Sequence, residues 1–294
     1  MAMEFLEDDS PGFSDQLRSK QGSDELMKEI LYGQNSLLIA ITLFVSMVLA
    51  IKLGYRVGQN RNISPSESYL AHVNSIQSSL LGVLALLLGF TFSLALQRFD
   101  SRSEAVVEEA NAIGTAYLRA QLLPASIGNN VRTLFQRYID LRVQAGAITL
   151  ANEVDYQASI ANENQVLDDL WSFARKAAVE DGRPVTSGLF IQSLNEAIDS
   201  HGRRIAALNR HVPEPVLIIL FGTFLMTGGV VGYAAGITGN HLSEVTYILV
   251  ALIVVIAFII MDIDRPRRGL IKVDQTSLSD LKAAIDADQY SVTP

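Results

Sequence analysis

A proline-free stretch with an uncharged core constrains this chain more than any other feature. Residues 80–96 carry no charge, and no proline stands between Ser66 and Leu123. An apolar run of that length is about the shortest that crosses a bilayer core, which takes roughly 17–25 residues. Beyond it the chain becomes charged and amphipathic, with Phe99, Val106, Ala110, Ile113 and Tyr117 recurring at helical intervals. Ser66 stands where a helix cap is wanted, and nothing forces a break before Pro124. The stretch therefore predicts one helix that spans a membrane and runs on into water.

Three further apolar blocks, at residues 36–55, 215–237 and 245–261, complete a set of four spans, in a chain of mean hydropathy +0.26. Lys52 lies near the end of the first, where a long side chain snorkels to the interface. The third carries Gly228, Gly232 and Gly236 at four-residue spacing. Such a ridge lets two helix backbones approach closely in lipid; a hinge or an ion path along the glycines is the other reading. Gly89 in the second span belongs to a similar small-residue stripe with Ser78, Gly82, Ala85 and Ser93.

Between the second and third spans the chain reads as helical throughout. Asn129 or Asn130 is placed to cap a helix bearing Val131, Leu134, Tyr138, Leu141, Ala145 and Ile148. A second helix covers residues 153–179 and stops at Gly182. A third begins after Pro184 with Leu194, Ile198, Ile205, Leu208 and Val212 as its stripe. With the extension of the second span, these helices have enough apolar faces to bury one core. The expected fold class is an all-α integral membrane protein with four transmembrane helices. Its helical domain lies between spans two and three, and span two continues as a long helix outside the membrane. The expected divisions are an acidic tail with a short amphipathic helix at 1–35, spans one and two at 36–97, and the helical domain at 98–213. Spans three and four follow at 214–262, and a tail with one short helix near 278–285 at 263–294. In residues 1–35, Ser23 is placed to cap a helix with Leu26, Met27, Ile30 and Leu31 on one face. That helix either rests on the membrane surface or leads into the first span.

Charge supplies the orientation. Arg98 and Arg102 follow span two, Arg203, Arg204 and Arg210 precede span three, and Arg265, Arg267, Arg268 and Lys272 follow span four. The loop between spans three and four has neither Lys nor Arg. The positive-inside rule puts the helical domain and both termini in the cytoplasm, against the dissent of Lys52, Arg56 and Arg61. The acidic first residues lack the basic and apolar regions of a cleaved signal, so the first span is expected to stay as an anchor.

Chemistry is sparse. A net charge of −8 argues against nucleic acid as a partner, and the absence of cysteine removes thiolate catalysis and Cys-ligated metals. His72, His201, His211 and His241 show no ligand spacing, although His201 and His211 fall on one helix. Glu108 and Glu109 are adjacent, so they point about 100° apart on a helix and pair with arginines rather than with each other. Asp262 and Asp264 stand beside Arg265, Arg267 and Arg268, either as an ion-pair knot or as a cation site. No phosphate loop, dinucleotide fingerprint or catalytic triad is present, so no catalytic residue, metal or cofactor is assigned.

In span two, Leu88-Gly89-Phe90, then Ser93-Leu94, then Arg98-Phe99, resembles the pore helix of bestrophin channels. Residues 108–120 and 262–271 are similar to a bacterial bestrophin-like family formerly of unknown function. The resemblance implies a pentameric ion channel of the bacterial inner membrane, with lipid, small inorganic ions and further copies of the chain as partners. Chloride or another small anion is the implied ion, and span two lines the implied pore. Bestrophins narrow that pore with three bulky apolar residues four apart. Carried over, these are Gly82, Leu86 and Phe90, of which Gly82 departs from the pattern and leaves the outer ring wide. Arg98 would lie at the cytoplasmic mouth. Read from the residues alone, Leu86 and Phe90 either ring a dewetting constriction or face lipid or a neighbouring span. Two readings remain beside the anion channel. One is a cation-selective channel, which the acidic balance leaves open. The other is a non-conducting scaffold or sensor that docks a cytoplasmic partner.

Overall fold

The computed structural model describes residues 36–60, 65–147, 153–239, 244–265 and 271–291. The expected helix after Ser23, His241 and the arginines Arg61, Arg267 and Arg268 lie outside them. Among the described residues there is no strand. The elements are α1 (Ser36–Gln59), α2 (Glu67–Ala120), α3 (Ala125–Ala147), α4 (Glu153–Glu180), a π-helical turn (Pro184–Gly188), α5 (Leu189–Leu208), α6 (Glu214–Ile237), α7 (Glu244–Asp264) and α8 (Thr276–Ser291).

Four helices are long and apolar enough to cross a membrane: α1, α2, α6 and α7. The glycines determine how α1 and α6 cross. A Cβ at Gly228 would meet the Met47 side chain, one at Gly232 the Ile51 carbonyl, and one at Gly236 the Tyr55 carbonyl. Gly54 and Gly58 on α1 do the same against Gly229 and Tyr233. Five missing side chains thus let two backbones touch, which is how helices associate where water supplies no hydrophobic drive. The contact also explains why α1 runs on to Gln59 and not to the expected end at Tyr55. Gly58 is buried against α6, and Gln59 Nε2 donates to Tyr55 Oη at 3.0 Å. Gly239 follows α6 with a positive φ of 67°, a conformation that suits glycine at a helix end.

α2 is unbroken for 54 residues, or about 81 Å at 1.5 Å per residue. Ser66 caps it by accepting from Tyr69 N–H at 3.3 Å. Its membrane half packs α6 and α7 through Leu84, Leu88, Thr91 and Ala95. Its polar half packs α5, α3 and α8 through Val106, Ile113, Ala116 and Ala120.

The polar bundle differs from expectation in three places. α3 starts at Ala125, so Asn129 and Asn130 lie inside it and do not cap it. Pro124 stands directly before, with a φ already suited to a helix start, and its carbonyl takes the first bonds from Ile127 and Gly128 at 2.9 and 2.8 Å. α5 ends at Leu208, so His211 is not on the helix of His201. The C-terminal segment is no separate tail. Asp274 Oδ1 accepts from Thr276 N–H at 2.9 Å to start α8, and α8 inserts Leu278 and Ile285 into the core beside Tyr117, Phe135 and Ile139. Each such buried side chain contributes about 1.5–3 kcal/mol.

Candidate functional site

Among the described residues, the membrane half of one face of α2 is left uncovered. Leu86 and Phe90 are 58% and 61% exposed, and an added Cβ at Gly82 or Gly89 would find open space. Ser78, Ala85 and Ser93 are exposed as well, so the small-residue stripe of the second span meets no helix among the described residues. At 100° per residue, Gly82, Leu86, Phe90 and Ser93 lie within an arc of about 80°. The same arc continues through Gln97, Asp100, Glu104, Asn111 and Leu118, all exposed. The buried row of Leu84, Thr91 and Ala95 lies on the opposite side. The face is apolar and small in the membrane half, and polar below it, with the carboxylates of Asp100, Glu104 and, at the edge of the arc, Glu108. Neither Asp100 nor Glu104 forms an ion pair among the described residues.

Arg98 is not on this face. It lies about 120° around the helix from Leu86. It is half-buried, and its Nε has no hydrogen-bond partner among the described residues. One turn on, Arg102 is 2% exposed and its guanidinium gathers the ends of two other helices. Nε donates to Ala207 O at 3.2 Å and Nη2 to Arg210 O at 2.6 Å, at the end of α5. Nη1 donates to Ile263 O at 3.2 Å and Nη2 to Asp264 O at 2.9 Å, at the end of α7. Asp264 brings its carboxylate to 3.8 Å from the same guanidinium and accepts from Val212 N–H at 2.9 Å. Asp262 accepts from Ile271 N–H at 3.0 Å, and Arg265 is buried beside them.

Seven residues past Arg102, Glu109 anchors a second buried polar cluster, inside the bundle. Arg142 on α3 clasps it with Nε and Nη2, at 2.8 and 3.0 Å, and gives Nη1 to Glu163 on α4 at 2.6 Å. Arg204 on α5 also donates to Glu109, and gives Nη2 to Gln275 at 2.7 Å. His201 Nδ1 stands 3.4 Å from Glu109, and Ser159 donates to Glu163 at 2.8 Å. Burial alone would push the Glu109 carboxyl up. Arg142, the His201 hydrogen bond and Arg204 together hold it well below the usual carboxylate range. Burial and the Arg142 charge pull Arg204 below the usual guanidinium value. Burial and the Glu109 charge push the Tyr138 hydroxyl well above its ordinary value. Two carboxylates face two guanidiniums, so the cluster balances and serves to lock four helices together. Glu108, its neighbour in sequence, is exposed and pairs with Arg203 at 3.5 Å. Among the described residues no group of three or more His, Asp or Glu side chains could hold a metal ion.

Sequence reading took Arg102 only as a marker of orientation and did not foresee its role or that of Arg142. A signal was available: Arg102 and Glu109 fall at seven-residue spacing on the face that carries Leu84, Thr91, Ala95 and Ile113. Charges on a helix's buried row need partners from elsewhere. The glycines Gly54 and Gly58 were likewise visible, four apart on the first span.

No curated protein matches the chain. Solved structures match it well. A bacterial bestrophin homologue from Klebsiella pneumoniae superposes with a TM-score of 0.60 at 17% identity, over 88% of this chain and 99% of that one. A single-substitution variant of a Klebsiella pneumoniae homologue gives 0.58 at 18% identity, over 88% and 98%. A crystal structure titled only as a membrane protein gives 0.58 at 17%, over 87% and 97%. At such identities the likeness is one of fold. The bestrophin-like domain family matches residues 40–278, most of the chain, and the chain therefore belongs to the bestrophin-like family.

Proposed function

We propose that this chain is the protomer of an oligomeric ion channel of the bacterial inner membrane, with both termini cytoplasmic and the uncovered face of α2 lining the pore. The observation that carries the reading is the continuity of that face. It starts at Gly82, passes Leu86 and Phe90, and stays exposed through the polar half to Leu118, where among the described residues Arg203 pairs with Glu108 at its edge. A pentamer, the ring number implied by the bestrophin resemblance, would bring five such faces to one axis. Leu86 and Phe90 would then form apolar rings that hold water poorly and gate ions without a charged group. Gly82 leaves the outer entrance wide.

The ion is the second part of the proposal. The resemblance implies small anions. The uncovered face carries Asp100, Glu104 and, at its edge, Glu108; no Lys or Arg of α2 lies within its arc, Arg203 pairs with Glu108, and Arg98 lies off the face. Rings of carboxylates below an apolar neck favour cations, so we assign small inorganic cations to this pore.

The test is flux and reversal potential in liposomes and planar bilayers with purified protein. Phe90→Ala removes most of one ring and should raise flux with the oligomer intact. Leu86→Ala should act in the same direction, and Leu87→Ala, about 100° away, should do less. In a salt gradient the reversal potential should lie on the cation side. A potential on the anion side would overturn the ion assignment and leave the channel standing. Wild type and Phe90→Ala that assemble but pass no ions would leave the non-conducting scaffold as the reading.

A further inference from the structure

We propose that Arg102 is a positioning residue, the joint through which the polar bundle and the last membrane span set the position of the pore-lining helix. The inference rests on the channel reading above and goes beyond it, because it names where a gating movement enters α2.

The last carbonyls of an α-helix have no partner inside their own helix. α5 ends at Leu208 and α7 at Asp264, and the two ends come together at one guanidinium. Arg102 donates to Ala207 O in the last turn of α5 and to Arg210 O two residues beyond it, and to Ile263 O and Asp264 O in the last turn of α7. Its charge also faces the negative ends of both helix dipoles. An arginine carries five N–H donors in a rigid fork; a lysine has three on a point charge, one too few for the four carbonyls. Arg102 is buried, so no water is at hand to take over a lost bond.

The connection from this joint to the constriction is stiff. α2 has no break between Phe90 and Arg102, which stand twelve residues apart, or about 18 Å along the axis. A shift of α5 or α7 that carries its terminal carbonyls along therefore carries α2 with it. The Phe90 ring moves because its helix moves as a rod. α5 belongs to the bundle through Phe190, Leu194 and Ala197. α7 packs α1 and α2 in the membrane half. Arg102 is thus where both halves of the molecule hold the same helix.

The experiment is a double-mutant cycle on ion flux per reconstituted oligomer. Arg102→Lys should leave the oligomer intact by size-exclusion chromatography and change flux by about twofold to thirtyfold. In the Phe90→Ala background, where the ring is gone, the same substitution should change flux by less than about twofold. Asp264→Asn keeps the carbonyls and drops the carboxylate beside Arg102. It should give the same non-additive pattern, and it supplies the reading if Arg102→Lys does not assemble. Flux unchanged by Arg102→Lys or Asp264→Asn, with only the melting temperature lowered, would overturn the joint. So would equal effects with and without Phe90. In both cases a raised flux in Phe90→Ala would show that the channel itself stands. Silence of wild type and Phe90→Ala alike would remove the channel, and the joint with it.

Discussion

Glu108 and Glu109 are neighbours of identical chemistry, and the structure predicts opposite consequences for the same substitution. Glu109→Gln keeps the shape of the side chain and removes its charge. Glu109 is fully buried and takes bonds from Nε and Nη2 of Arg142 and from Arg204. After the change, two buried guanidiniums face one carboxylate, Glu163, and one cation is left uncompensated. Breaking a buried pair in this way costs about 3–5 kcal/mol. At about 2–4 °C per kcal/mol, that lowers the melting temperature by roughly 6–20 °C. Glu108→Gln loses an exposed contact of 3.5 Å with Arg203. Exposed pairs contribute about 0–1 kcal/mol, so its melting temperature should stay within about 4 °C of wild type. The measurement is thermal melting of detergent-solubilised protein, followed by scanning fluorimetry and by retention of the oligomer. pH supplies a second check. The folded Glu109 carboxyl lies below its unfolded value of about 4.3, so its contribution is complete above that value and is lost as pH falls beneath it. The gap between wild type and Glu109→Gln should therefore be constant from pH 8 to about 5 and narrow in stronger acid. Equal melting temperatures for Glu109→Gln and Glu108→Gln at pH 7 would refute the reasoning.

Two further outcomes follow from the same geometry. Gly232→Leu would drive a side chain into the Ile51 carbonyl, so it should cost at least about 1–3 kcal/mol and weaken assembly in detergent. Gly222→Ala, which has open space, should leave melting and assembly unchanged; equal behaviour of the two would show that the α1–α6 crossing does not hold the spans together. For orientation, single cysteines can be introduced into a chain that has none. One at Asn164 should be shielded from an impermeant thiol reagent in intact cells and one at Gly239 should react, and labelling of Asn164 from outside would reverse the topology.

The sequence by itself determined what depends on near neighbours along the chain. The continuity of α2 was legible because Ser66 caps it and no proline interrupts it before Pro124. The four spans followed from apolar length, and the close-packing capacity of Gly228, Gly232 and Gly236 followed from their spacing. These are local matters of sterics, periodicity and hydropathy. Which surfaces meet was decided only in three dimensions. The glycine ridge needed a partner, and the fold supplied α1 through Gly54 and Gly58 rather than a second copy. Glu108 and Glu109 differ by one position, yet one faces water and the other closes a cluster built from α3, α4 and α5. Arg102 and Arg98 are one turn apart, and only Arg102 finds the ends of α5 and α7. The C-terminal helix, short and charged in sequence, became part of the core because Leu278 and Ile285 met an apolar surface left open by α2 and α3. The physical reason is the same each time. The value of a charge or a missing side chain depends on what removes it from water, and in this chain the partners are distant in sequence, 33 positions for Glu109 and Arg142 and 162 for Arg102 and Asp264.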